Sequence, residues 1–230
     1  GAFAGALQGI QYLKKVGLEF QINTTVTLKN MEEIPAILEL AFHLGAVAHH
    51  IFLLVPTGRG QALAEETLPA EKYEEVLHWF YEQREKYPLQ LKATCAPHYY
   101  RILRQRAATE GKKISFPQMG LETMTRGCLG GIGFCFIAYN GEIQPCGYLE
   151  VPCGNLRHQS LADIWKESPV FKKLRDFSAY QGRCGRCEFI KVCGGCRARA
   201  YARDGNYLGE EPLCTYQPRA KIYTSGESGQ

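Results

Sequence analysis

Apolar side chains at Phe3, Leu7, Ile10 and Leu13 recur three and four positions apart and stop at Gly17. That period predicts an amphipathic helix over residues 3–16 with a glycine end. Residues 19–28 (EFQINTTVTL) alternate and are rich in β-branched side chains, so they read as a strand. A second helix is expected over 31–44, closed by Gly45. The run HHIFLLVP at 49–56 is continuously apolar, as in a strand buried on both faces. A helix over 69–87, a strand at 89–95 and a short helix at 98–106 complete this half.

Strands alternating with helices imply parallel βα units, whose ligands lie beyond the carboxyl ends of the strands. The loop PTGRG at 56–60 sits at such an end, and reads equally as an exposed turn or a ligand-contacting loop. Three strands are too few to close a barrel, which uses about eight. Residues 111–133 are glycine-rich and lose periodicity, which places a domain boundary near Ser115. Beyond it, β-prone runs at 134–139 and 142–148 flank Asn140 and Gly141, a strong hairpin signal. Residues 160–177 supply two short helices divided at Pro169, with Ser160 capping the first. The expected organisation is therefore 1–115, 116–217 and a disordered polar tail, 218–230.

Composition narrows the class. The chain has 230 residues, of which 45% are hydrophobic and 22% charged, as in ordinary globular proteins. No apolar run is long enough to span a membrane, and the first lysines follow the first apolar stretch, the wrong order for an export signal. A net charge of +4 does not suggest a nucleic-acid partner. The chain begins without methionine and inside a helical pattern, so it reads as a fragment with elements upstream. Its ten cysteines are unusual, and they accompany a long, well-patterned, cysteine-poor first half that needs no staples. Free thiols and a cytoplasmic location follow.

The spacing Cys184-x2-Cys187-x5-Cys193-x2-Cys196, with Cys214 closing after twenty intervening residues beyond Cys193, is a metal signal. Zinc ribbons separate their pairs by about 15 to 20 residues. A gap of five favours an iron-sulfur cube over a single ion. Cys193 and Cys196 precede the helical run RARAYARDG, whose amino terminus is expected to lower their thiol pKa. Cys128, Cys135 and Cys146 surround the predicted hairpin and form a second candidate site if Cys196 joins them, whereas isolated Cys95 and Cys153 read as small core residues. Between Gln181 and Asp204 six basic residues face two acidic ones, either as counter-charge to thiolates or as contacts to an anionic substrate.

The order Cys128-x12-Gly141-x4-Cys146, then Cys184-x2-Cys187-x5-Cys193, then Cys196 and Cys214, resembles the SPASM extension at the carboxyl end of many radical S-adenosylmethionine enzymes. The first half, with NTTVT and VPTGRG at two strand ends, is similar to the closing strands of the radical SAM partial barrel. The runs GFCFIAYNGEIQPCGYLEVPCGN and VCGGCRARAYARDGNYLGEEPLC look like the haem synthases of the alternative haem pathway. The fold class implied is α/β: the C-terminal part of a radical SAM partial (β/α) barrel, followed by a small cysteine-rich α+β domain with a β-hairpin. Two departures stand out: the last close pair is Cys-x2-Cys where the SPASM pattern has Cys-x3-Cys, and no C-x3-C-x2-C is present. The radical-generating 4Fe-4S cluster is thus expected upstream of residue 1.

The haem-synthase branch resembles a one-cluster pattern, which Cys184, Cys187, Cys193 and Cys214 match. The resemblance implies an auxiliary 4Fe-4S cluster on those four, with S-adenosylmethionine and a second 4Fe-4S cluster in the full-length enzyme. It implies a porphyrin substrate whose propionates lose carbon dioxide and become vinyl groups, and an electron donor such as flavodoxin or ferredoxin. Arg197, Arg199 and Arg203 become candidate partners of the propionates. Asn23, Val55 and Pro56 would flank S-adenosylmethionine. The fragment alone is expected to be inactive. Two alternatives remain: a SPASM maturase acting on a peptide or protein, and a zinc-ribbon binding module without catalysis.

Overall fold

A computed structural model of the chain describes residues 1–112 and 126–219. The predicted boundary near Ser115 and the tail from residue 220 onward lie outside the described residues. Three strands, β1 (Gln21–Val26), β2 (Ala48–Leu53) and β3 (Gln90–Thr94), form a parallel sheet in the order β1-β2-β3. Four helices accompany it: α1 (Ala2–Lys15), α2 (Ile34–Leu44), α3 (Ala70–Gln83) and α4 (His98–Thr109). The helix and strand expectations hold within a few residues at each end. Gly45 closes α2 in the left-handed region at φ 80°, where the lack of a Cβ removes the steric penalty.

The apolar run of β2 is buried as its sequence requires. Ile51 and Leu53 meet Val26 of β1, Leu77 and Phe80 of α3, and Ile102 of α4 in one core. His49 is also buried, with Nε2 3.0 Å from the Thr24 hydroxyl. By contrast α1 buries no residue, and Phe3, Tyr12 and Val16 are exposed. Its amphipathic period made a helix without a core partner among the described residues. The PTGRG loop turns directly into a 3-10 segment, Gly58–Glu66.

The second unit is built on a small antiparallel meander, β4 (Phe136–Ile137), β5 (Glu142–Gln144) and β6 (Gly154–Asn155), in that order. The turn at Asn140 and Gly141 is where expected, with Gly141 at φ 86°. Helices α5 (Leu161–Glu167) and α6 (Pro169–Arg175) cover the meander, so that Ile143 packs among Ile164, Phe171 and Leu174. The Ser160 hydroxyl accepts the Asp163 amide at 3.1 Å, the N-cap read from sequence. A one-turn helix, α7 (Gly182–Gly185), and α8 (Arg197–Asp204) carry the cysteine-rich end. Gly127 and Cys128 donate their amides to the Val192 and Cys193 carbonyls, at 2.7 and 3.0 Å, tying the chain before the hairpin to the cysteine loop.

Candidate metal centre

All ten cysteines are free thiols. They fall into groups set by the fold and not by their order in the chain. Cys184 on α7, Cys187 just after it, Cys193 in the loop before α8 and Cys214 near the end share one neighbourhood. Cys184 acts electrostatically on Cys187, Cys193 and Cys214, and Cys214 on Cys193. The amides of Glu211 and Gly195 point at the sulfurs of Cys184 and Cys193, each at 3.4 Å. Gly195 is required there: at φ 60°, a Cβ would stand 3.2 Å from the Cys184 sulfur.

Burial dominates the titration of these thiols. It pushes Cys193 far up, Cys214 to about 11, Cys196 to about 11 and Cys187 up by a smaller amount. The expectation that the α8 amino terminus lowers Cys193 and Cys196 is therefore overturned. Both side chains are buried, and loss of water outweighs the partial charge of an eight-residue helix. Thiols of this kind become thiolates when a metal displaces their protons.

The charge around them fits such a centre. Arg197 is 2% exposed, and its guanidinium forms no salt bridge among the described residues, although the Glu211 carboxylate acts on it from further off. It donates to the carbonyls of Gly195, Tyr207 and Gly209 at 3.2, 3.1 and 2.6 Å, and its Nη2 lies 3.6 Å from the Cys184 sulfur. A buried cation needs an anion, and thiolate ligands would supply one. Arg101 of α4 and Arg126 add positive charge: the first acts on Cys187, Cys193 and Cys214, and the second is acted on by Cys128 and Cys193. Sequence proximity missed both, because they come from outside the cysteine-rich stretch. Arg186, Lys191 and Arg203, which that stretch does contain, are exposed.

Arg199 is committed elsewhere. Its Nε donates to Glu211 at 2.9 Å and its Nη2 to the Tyr73 hydroxyl at 2.9 Å, all three groups being buried. Burial works against the Glu211 carboxylate, but Arg199 beside it prevails and holds it at about 2. Glu211 also accepts the Cys196 amide at 2.6 Å. Arg203 pairs with Asp204 at 3.0 Å on the surface. Of the three arginines expected to meet propionates, Arg197 and Arg199 are buried and held by internal hydrogen bonds, Arg197 also bordering a cavity of about 600 Å³, and Arg203 is on an exposed helix end.

The second expected group is rearranged. Cys128, Cys146 and Cys196 come together, but Cys135 packs with Cys153 against the core of Ile143 and Ile164. In its place stands Cys95, at the end of β3, packed with Cys146 against Cys196. Its isolation in sequence gave no sign of this, since β3 arrives from the other sheet. No three His, Cys, Asp or Glu side chains among the described residues are placed to hold a single metal ion. Of the expected S-adenosylmethionine contacts, Asn23 is exposed on β1 and Val55 is buried beside Leu149 and Cys196. Pro56 borders a cavity of about 410 Å³ with Thr57, Tyr148 and Glu150, which Asn23 does not line. No helix among the described residues is long and apolar enough to cross a membrane.

Comparison with known proteins places this architecture. Residues 128–197 match the SPASM iron-sulfur cluster-binding domain. The chain is 55% identical over 221 residues to the AdoMet-dependent heme synthase of Oleidesulfovibrio alaskensis, covering 96% of this chain and 57% of that protein. It is 56% identical over 221 residues to the AdoMet-dependent heme synthase of Methanosarcina barkeri, covering 96% of this chain and 63% of the relative. The chain thus spans about 60% of the length of these relatives. Among solved structures, Streptococcus suis SuiB bound to S-adenosylmethionine superimposes with a TM-score of 0.62 at 17% identity, over 92% of this chain and 48% of that one. Residues 128–197 thus match the SPASM iron-sulfur cluster-binding domain and adjoin a parallel βα unit, in a chain that shares the fold of SuiB and is similar in sequence to AdoMet-dependent heme synthases.

Proposed function

We propose that the chain is the auxiliary-cluster portion of a radical S-adenosylmethionine enzyme that converts porphyrin propionates to vinyl groups. Each conversion removes a hydrogen atom, carbon dioxide and one electron from a propionate side chain. The observation that carries this reading is the neighbourhood of Cys184, Cys187, Cys193 and Cys214, with the buried guanidinium of Arg197 3.6 Å from the Cys184 sulfur. A 4Fe-4S cluster bound there supplies an electron acceptor whose potential depends on nearby charge and hydrogen bonds. The chain's own residues set those conditions. Arg197 offsets negative charge at Cys184, the Glu211 and Gly195 amides donate to two sulfurs, and burial excludes water.

Similarity at 55% to haem synthases favours a porphyrin over a peptide substrate, since the likeness to SuiB concerns the fold alone. The zinc-ribbon alternative fits less well, because no three of the described ligand-type side chains are placed to grip one ion. A four-iron cube spreads its thiolates over four metals and needs no such convergence. S-adenosylmethionine and the radical-generating cluster belong to the full-length enzyme in this reading, as does an external electron carrier such as flavodoxin or ferredoxin. The test is anaerobic turnover by the full-length protein with iron-coproporphyrin, S-adenosylmethionine and a reductant. Release of carbon dioxide with formation of vinyl groups is expected; cleavage of S-adenosylmethionine with an unchanged porphyrin would overturn the substrate reading.

A further inference from the structure

A groove of about 700 Å³ lies between the carboxyl end of α4 and the chain that follows α7. Cys187 lines it, whereas Cys184, Cys193 and Cys214 do not, so a cluster on those four would reach this groove through Cys187. Phe189 and Tyr216 give the wall an apolar middle, their rings edge to face with centroids 5.4 Å apart. The Tyr216 ring also lies under the buried Arg101 guanidinium, 5.0 Å from it, and Arg101 acts on Cys187, Cys193 and Cys214. The groove and the cysteine neighbourhood are thus joined through Cys187 and Tyr216.

Three arginines line the same groove: Arg104 from α4, Arg186 from the segment after α7, and Arg219. They face one carboxylate, Glu188, which accepts the Tyr216 hydroxyl. The arginine ion pairs among the described residues are made by Arg101, Arg106, Arg183, Arg199 and Arg203, and by none of these three. A groove of about 540 Å³ between α3 and α4 shows the contrast. There Arg106 and Lys112 pair with Glu82, Glu85 and Glu110, so the charges match within the wall. A plain solvated face intersperses both signs in that way. Unmatched cations around an apolar middle suit a surface that receives an acidic partner: the charged rim steers the encounter and the uncharged centre makes the contact.

We propose that this groove is the docking surface for a small one-electron carrier protein whose redox group is ringed by acidic side chains. The proposal deepens the reading above, on which it rests: each propionate converted leaves one electron, which has to be handed on. With the oxidised carrier in the groove, one electron passes from the cluster beside Cys187 to the carrier, which is reduced by one while the cluster is oxidised by one. No bond is made or broken. Arg104, Arg186 and Arg219 come from three separate segments, a spread that suits a protein face better than a single small anion. Redox encounters bury little surface and are weak, so a groove of this size is sufficient.

The test uses the full-length protein, purified without oxygen, reduced and freed of excess reductant, with an oxidised acidic 2Fe-2S ferredoxin as the probe. Stopped-flow absorbance reads reduction of the ferredoxin, and calorimetry reads its binding. The wild type should bind and reduce it at a rate that falls as ionic strength rises. The double variant Arg104→Glu/Arg219→Glu, with iron content and visible spectrum unchanged, should lose on the order of tenfold in bimolecular rate and in affinity at low salt. The double variant Lys166→Glu/Lys173→Glu makes the same change of charge on α5 and α6, outside the groove, and should stay close to the wild type. Cys214→Ala, which removes a cluster ligand, should lose the rapid phase. Equal rates in the two double variants, or a rapid phase kept by Cys214→Ala, would overturn the docking site. So would competition by iron-coproporphyrin, which would assign the groove to the substrate, or loss of self-association in Arg104→Glu/Arg219→Glu, which would assign it to a second copy of the chain. A wild type with no four-iron cluster at the Cys184 set would instead defeat the iron-sulfur reading, and iron and sulfide analysis shows that before any carrier is added.

Discussion

Arg197 carries the most information of any single side chain. Its charge is buried and hydrogen-bonded to three carbonyls, and its Nη2 lies 3.6 Å from the Cys184 sulfur. Replacing it by Gln keeps donors in place and removes the charge. The midpoint potential of the cluster beside it should fall by on the order of tens of millivolts, because the reduced form loses a stabilising cation. Electrochemistry of the Arg197→Gln protein reads this directly, and Arg197→Lys should restore most of the shift. The expectation of a metal centre came from spacing, because cysteines at short intervals such as Cys184, Cys187 and Cys193 leave a local signature. Arg101, Arg126 and Cys95 leave none, since each reaches its site through the fold and is flanked in the chain by residues serving other purposes.

The elements differ in how openly the sequence declared them. The helices α2 and α3 and the strand β2 bury apolar faces, so period and burial agree. The strand β6 is two residues, one of them a glycine at φ 153°, and no alternation can mark so short a run. The PTGRG segment reads equally as a turn or a ligand-contacting loop, and its 3-10 continuation buries no residue, so no apolar period announces it. Two predictions belong here. Ile143, fully buried between the meander and α5 and α6, should cost about 2 to 5 kcal/mol when changed to Ala, measured by denaturant unfolding.

The other concerns the imidazole on β2. Burial holds His49 down at about 4, below its ordinary 6.5, so the unfolded chain binds the proton first. Stability from this group is complete above pH 6.5 and is lost as pH falls toward 4, by on the order of 1 kcal/mol per pH unit. Unfolding midpoints measured across that range should slope less in His49→Gln than in the wild type.

At the scale of the whole molecule, the two units are joined by a buried ionic link. Glu211 and Arg199 pair in the cysteine-rich unit, and Arg199 reaches Tyr73 on α3. Changing Glu211 to Ala strands a buried guanidinium and should destabilise the protein by about 3 to 5 kcal/mol. Removing both partners of the pair should cost less than the sum of the single changes, which a double-mutant cycle of unfolding free energies would register. Such a joint explains why the cysteines group across domains instead of along the chain. Tyr73 and Arg199 lie 126 residues apart, with ordinary neighbours on either side, so no local pattern marks the joint.

The proposed function requires above all that Cys184, Cys187, Cys193 and Cys214 share one 4Fe-4S cluster. Mössbauer spectra of the iron-57-enriched full-length protein and of its Cys193→Ala and Cys214→Ala variants test that most directly. Both variants should lose the signal of the same four-iron cluster while the remaining iron is unchanged. Spectra identical to the wild type, or bound zinc without inorganic sulfide at this site, would contradict it.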